Sequence, residues 1–162
     1  MDDESRDALQ QLLSSYSVAA LATVSETGPA VSMVPYAAAS DGSAIYIHVS
    51  RLARHTGEML DDPRVALMIM EPESAGSSSL ALARLSIEGE ARELAHDSAE
   101  YMSARAAYVG RHPQSEMMFG FADFSLFAIT PAGGRFVGGF ARAHDISPEE
   151  LAQFMRSLGE SD

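Results

Sequence analysis

Between Val49 and Thr56 the chain gathers Ser50, Arg51, Arg54, His55 and Thr56, a set of hydroxyls, guanidinium forks and one imidazole. The stretch follows an apolar run, Ala44 to Val49, that reads as a strand, and it opens a segment that reads as a helix. Ser50 is placed to cap that helix, its hydroxyl accepting from a free amide of the first turn. Helix starts carry partial positive charge and favour acids, yet the first turns here bring Arg51, Arg54 and His55. Such an arrangement costs stability unless something negative sits among the cations. Free amides and guanidinium forks at a helix start suit a phosphate or a carboxylate. The competing account has the arginines pointing into solvent and offsetting nearby acids. Spacing alone leaves both open.

Composition narrows the chemistry. At 162 residues the chain is expected to form one domain, 1–162, with a sizeable core. It has no cysteine, which removes disulfides, thiolate nucleophiles and Cys-ligated metals. It has no lysine either, which removes Schiff-base chemistry and leaves arginine as the fork for any anion. A formal net charge of −12 argues against nucleic-acid binding, which needs a basic face. No apolar run reaches the roughly 18 residues of a membrane span and no leader pattern opens the chain, so a cytoplasmic protein off the membrane is expected.

The elements that must position the cationic stretch follow from periodicity. Residues 1–16 read as an amphipathic helix, with Leu9, Leu12, Leu13 and Tyr16 on one face. Val18 to Val24 and Ala30 to Ala38 read as strands around the Ser25–Pro29 turn, with Pro35 awkward in the second. Ser40-Asp41-Gly42-Ser43 is a hairpin signal leading into Ala44–Val49. After the helix, Asp61-Asp62-Pro63 breaks the chain, and strands are expected over Val65–Glu71 and Leu80–Arg92, around a polar loop. Asp97-Ser98-Ala99-Glu100 opens a helix ending near Gly110. Phe121–Thr130 and Arg135–Phe140 read as separate strands around a Pro131–Gly134 turn. Ser147-Pro148-Glu149-Glu150 is a capping box starting the closing helix, 147–158. Strands joined mostly by hairpins predict a small antiparallel barrel with peripheral helices rather than a parallel sheet.

Other residues offer less. No histidine pair has the helical spacing of a zinc site. His48 ends a strand and faces a cleft or the core; His96 reads as surface, His112 as a helix end, and His144 as a loop residue able to ligate haem. Ser50 lacks a nucleophile elbow, and Gly138-Gly139 is too short for a dinucleotide fingerprint. The methionines suit core and interface.

A series of motifs is familiar. Leu21-Ala22-Thr23-Val24, Gly28-Pro29 and Ser32-Met33-Val34-Pro35-Tyr36 are followed by Leu52-Ala53-Arg54-His55-Thr56 and Asp62-Pro63-Arg64-Val65. Arg84 with Glu88-Gly89-Glu90-Ala91, Tyr108 with His112-Pro113, Asp123-Phe124 and Arg135–Phe140 complete it. Together these resemble the pyridoxamine 5′-phosphate oxidase-like, FMN-binding split barrels, and within them the haem-utilisation (HugZ-type) branch. The resemblance implies a six-stranded antiparallel split β-barrel, mainly β with peripheral helices, forming a homodimer with its flavin site at the subunit interface. It implies FMN as cofactor, with Val49, Ser50, Arg54, His55 and Thr56 at the phosphate end. Ser32, Met33 and Val34 would lie along the ring and ribityl chain, and Arg84 near the flavin ring. His55 falls where the family has its phosphate lysine, and Ser32 where it has an arginine. The implied activity is FMN-dependent oxidation or reduction of an unidentified small molecule. The alternatives are a haem-binding or haem-utilisation protein, with haem as the ligand, and a flavin-binding module without turnover.

Overall fold

The computed structural model describes residues 1–76, 78–139 and 142–158. Phe140, the expected end of the last strand, and Ser77 in the polar loop lie outside the described residues. In chain order the strands are β1 (Val18–Ser25), β2 (Gly28–Pro35), β3 (Ala37–Ala38), β4 (Ile45–Ser50), β5 (Arg64–Met70), β6 (Arg84–Glu93), β7 (Phe124–Val137) and β8 (Ala143–Ile146). The helices are α1 (Asp3–Ser15), α2 (Arg54–Asp61), α3 (Ala99–Arg111) and α4 (Pro148–Arg156), with a 3-10 segment over Pro113–Gly120.

All strand pairs are antiparallel, in the order β2-β1-β5-β6-β7-β4-β3, and β8 adds to β7. The six long strands curl into the split barrel, with β3 and β8 as short additions at its margins. Pro35 ends β2 rather than interrupting it: Tyr36 steps over, and Ala37–Ala38 pairs with β4 instead.

Two clusters sit on the two faces of β4. Ile45, Ile47 and Val49 point into the barrel with Leu21, Leu67, Phe127 and the α1 leucines. The alternate residue Tyr46 points out, against Tyr101, Ala104 and Tyr108 of α3. This double burial explains why β4 carries so few polar residues. By contrast, among the described residues the outer face of β1, β2 and β5 carries no helix. Val31 and Met33 are 74% and 65% exposed there, beside Val18 and Met70.

Two sequence expectations change. The segment Phe121–Phe140 is not two strands around a turn, because β7 runs unbroken from Phe124 to Val137. The register against β6 shifts between Glu88 and Gly89, opposite Pro131, so the missing amide of Pro131 falls at the irregularity. Gly134 is required at this close approach, since a Cβ there would meet the Ser86 carbonyl oxygen at 2.8 Å. The second change is at α2, which starts at Arg54 with Ala53 as its N-cap and no side-chain cap bond. Ser50 ends β4 instead. The Ser147–Glu150 capping box of α4 is present with both its bonds.

Candidate functional site

The cationic stretch forms a corner where β4 turns into α2. Its hydroxyls serve the turn. Ser50 Oγ donates to Asp123 Oδ2 at 3.1 Å and accepts from the Leu52 amide at 3.1 Å. Thr56, fully buried, donates to the Ser50 carbonyl at 2.7 Å. Arg51 points away and pairs with Glu93.

Arg54 reaches back along its own helix. Its Nε donates to Glu58 Oε1 at 2.6 Å, and Nη2 donates to Ser25 Oγ at 3.3 Å. The other carboxylate oxygen of Glu58 accepts from Thr23 Oγ1 at 2.5 Å. Thr23 and Arg54 thus hold the Glu58 carboxyl below its ordinary range, the threonine hydrogen bond being the largest influence. The charge the corner seemed to await is supplied by the chain itself, one helical turn on. Glu58 was not among the residues singled out from sequence, although its i,i+4 spacing from Arg54 is a readable signal. The hollow beside it, between α2 and the β1–β2 turn, is lined by Glu26, Glu58, Asp61 and Asp62 against Arg54 alone.

His55 is half-buried, and its Nε2 is sealed from solvent without a partner. Burial lowers its pKa, against the opposing pull of Glu58. Val49 is a core residue. On β2, alternation sends Val34 into the core and Met33 out to the uncovered face, and the half-buried Ser32 hydroxyl has no partner. Three adjacent side chains therefore face two ways. Arg84 lies at the far end of β6, opposite Met70, whereas the α2 end of that ladder is Arg64 opposite Glu90. Six rungs at about 3.3 Å each put Arg84 roughly 20 Å from the corner. The structure brings Ser50, Arg54, His55 and Thr56 together and leaves Arg84 apart.

Arg84 instead stands near the β7–β8 edge. Its ladder partner Val137 pairs in turn with Ala143, the neighbour of His144. Arg84 donates to the Leu82 carbonyl at 3.1 Å, and among the described residues it pairs with no carboxylate. His144 lies in a strand rather than a loop, half-buried, with Nε2 sealed and unpartnered. An unsatisfied buried imidazole nitrogen is a lone pair without an occupation, and such atoms are uncommon in folded chains.

Two other histidines are packed inside the fold, His48 with its Nδ1 likewise sealed and unpartnered. His112 Nε2 donates to the Tyr36 carbonyl at 2.8 Å. His48 lies flat on Phe119, ring centres 3.8 Å apart, and its pKa is lowered to about 4, chiefly by burial.

The haem-binding fit can be judged from these groups. A neutral imidazole is the form that ligates haem iron, and a guanidinium without an internal partner suits a propionate. On β8 His144 offers an imidazole on the face it shares with Phe136 and Leu85, whereas Arg84, in register with Val137 and Ala143, stands on the opposite face of the sheet. The α2 corner offers His55, but with the Glu58 carboxylate beside it, which would repel a propionate.

Comparison with known proteins points the same way. The chain is 31% identical over 139 residues to heme oxygenase HutZ of Vibrio cholerae, covering 83% of this chain and 77% of that protein. It is 34% identical over 116 residues to the chloroplastic heme oxygenase HOZ of Arabidopsis thaliana, covering 71% of this chain and 33% of that one. The structure of a heme binding protein from Mycobacterium smegmatis superposes with a TM-score of 0.81 at 29% identity, covering 94% of this chain. This chain spans only 62% of that mycobacterial chain. The expectation of FMN as cofactor is thereby corrected, because these relatives are named for haem. The physical reason lies in the corner, where Ser50, Arg54 and Thr56 are already bonded within the chain and the surrounding charge is negative. The family description pyridoxamine 5′-phosphate oxidase matches residues 5–138, and members of that family are generally dimeric. With its curled antiparallel sheet and these relatives, the chain belongs to the pyridoxamine 5′-phosphate oxidase family of split barrels, in its haem-utilisation (HugZ-type) branch.

Proposed function

We propose that this chain is a haem-binding protein of the haem-utilisation kind, acting as a homodimer. The observation that carries the reading is the relationship to HutZ, 31% identity over 139 residues. The half-buried, unpartnered imidazole of His144 supports it as the iron ligand. Haem, once bound, would supply the iron chemistry; the chain's part is to hold the ring and present the imidazole. The uncovered face of β1, β2 and β5 supports the dimer, since a second copy would remove Val31 and Met33 from water.

The test is titration of the protein with haemin. A saturable Soret shift is expected at one haem per chain, lost in His144→Ala and retained in His55→Ala. Absence of a saturable Soret band in the unmodified protein, or purification with a bound flavin, would overturn the proposal. Retention of the band in His144→Ala would remove His144 from it.

A further inference from the structure

Arg105 on α3 has no job that the fold explains. Its guanidinium carbon lies 5.4 Å from the centre of the Phe119 ring, and its Nε is sealed from solvent without a hydrogen-bond partner. Among the described residues no carboxylate is within ion-pair reach of it.

The space around it has a definite shape. Between α3 and the 3-10 segment is a cavity of about 350 Å³, lined by His96, Tyr101, Met102, Arg105, Met117 and Phe119, with Glu116 and Gly120 at its rim. A second hollow, of about 440 Å³, shares His96 and Tyr101 and continues toward Phe124 and Leu126 of β7. The two are divided by the His96–Tyr101 pair, joined by a 2.9 Å hydrogen bond between the tyrosine hydroxyl and Nε2. Phe119 is held rigidly, because the His48 ring lies flat against it with an interplanar angle of 3°.

We propose that this cavity is a second small-molecule site, separate from the haem-binding edge, for a planar aromatic ligand carrying one anionic group. Arg105 takes the anion, and its stacking on Phe119 leaves the planar fork oriented rather than free. Tyr101 and His96 supply ring surface beside the guanidinium, Phe119 being covered by His48 and Arg105, and the exposed Met102 and Met117 are an adaptable apolar lip. Glu116 on the same rim limits the ligand to a single negative charge, since a phosphate dianion would meet its carboxylate. The volume suits a compound of about two fused rings, at the small end of ordinary ligand cavities.

The probe is 2-naphthoate, followed by its own fluorescence anisotropy; the protein contains no tryptophan to interfere. Saturable binding is expected, with 2-naphthylmethylamine binding at least tenfold more weakly. Arg105→Gln should weaken naphthoate at least tenfold, whereas Arg84→Gln should not change it. Met117→Glu, at a side chain too exposed to affect folding, should weaken it similarly by adding a second carboxylate to the lip. Equal binding of the two probes, no loss in both Arg105→Gln and Met117→Glu, or no saturable binding at all would overturn the proposal.

Discussion

The buried imidazole of His48 makes a prediction whose size can be worked out. The ring is 6% exposed and stacked on Phe119 and edge-on to Tyr108, whose hydroxyl bonds the His48 backbone. Burial, with a smaller push from His96, lowers its pKa from 6.5 to about 4. The folded state therefore refuses a proton that the unfolded chain accepts at about 6.5. Between those two values the unfolded state binds more protons, so stability falls as pH is lowered through the window and is restored as pH rises. At about 1.4 kcal/mol per pH unit the ceiling is about 3 kcal/mol. Carboxylates that are hydrogen-bonded in the fold, Asp62 among them, also cost stability on acidification. The informative quantity is therefore a difference. Urea unfolding of the wild type and of His48→Leu, from pH 7 to pH 4, should give curves that converge or cross as pH falls, because the leucine chain lacks this titration. Parallel pH profiles would show that the imidazole is not held neutral by its surroundings and would refute the reasoning.

Three further outcomes follow from local geometry. Because the Glu58 carboxylate raises the pKa of His55 against the effect of burial, Glu58→Gln should move the His55 titration to lower pH in an NMR experiment; an unchanged or raised midpoint would exclude their coupling. Gly42 has φ +73°, and a Cβ there would meet the Ala152 carbonyl oxygen at 2.1 Å, so Gly42→Ala should cost at least about 2 kcal/mol in denaturant unfolding. Met33→Glu, on the uncovered sheet face, should leave monomer stability within about 0.5 kcal/mol while light scattering shows the mass of a single chain. An intact dimer would place the second copy elsewhere.

Much of the fold was legible because local rules and tertiary demands agreed. Leu9, Leu12 and Leu13 recur at helical spacing and are the buried stripe of α1, and Ser147 with Glu150 forms the capping box its pattern announces. The passage of β7 through Pro131 was not legible, since a proline and paired glycines are turn signals unless a bulge carries the strand past them, and only the pairing with β6 reveals one. That bulge is Ala132 itself, which faces no residue of β6, since Gly89 pairs with Pro131 and Glu88 with Gly133. β8 was missed for a related reason: four residues of mixed polarity carry no period of their own and are strand only by pairing with β7. In the site, the grouping of Ser50, Arg54, His55 and Thr56 was local and therefore readable. The bond from Thr23 to Glu58, 35 residues apart, was not, and it determines the charge of the corner.

That bond also accounts for how one fold can keep a family's frame while changing what it holds. A helix start rich in arginine attracts an anion only while its forks and hydroxyls are free. Here Glu58 lies within reach of Arg54 on the same helix, at no cost in loop closure, so its effective concentration exceeds that of any dissolved phosphate. Thr23 fixes the carboxylate from the sheet below and prevents it from swinging out to solvent. The same residues that look like a nucleotide grip in sequence thereby become a tie between α2 and β1. Among the described residues the corner leaves only His55 Nε2 without a partner, and on β8 His144 Nε2 is left so as well. Unspent donors and lone pairs, rather than the density of charged residues, mark where an outside group has room to bind.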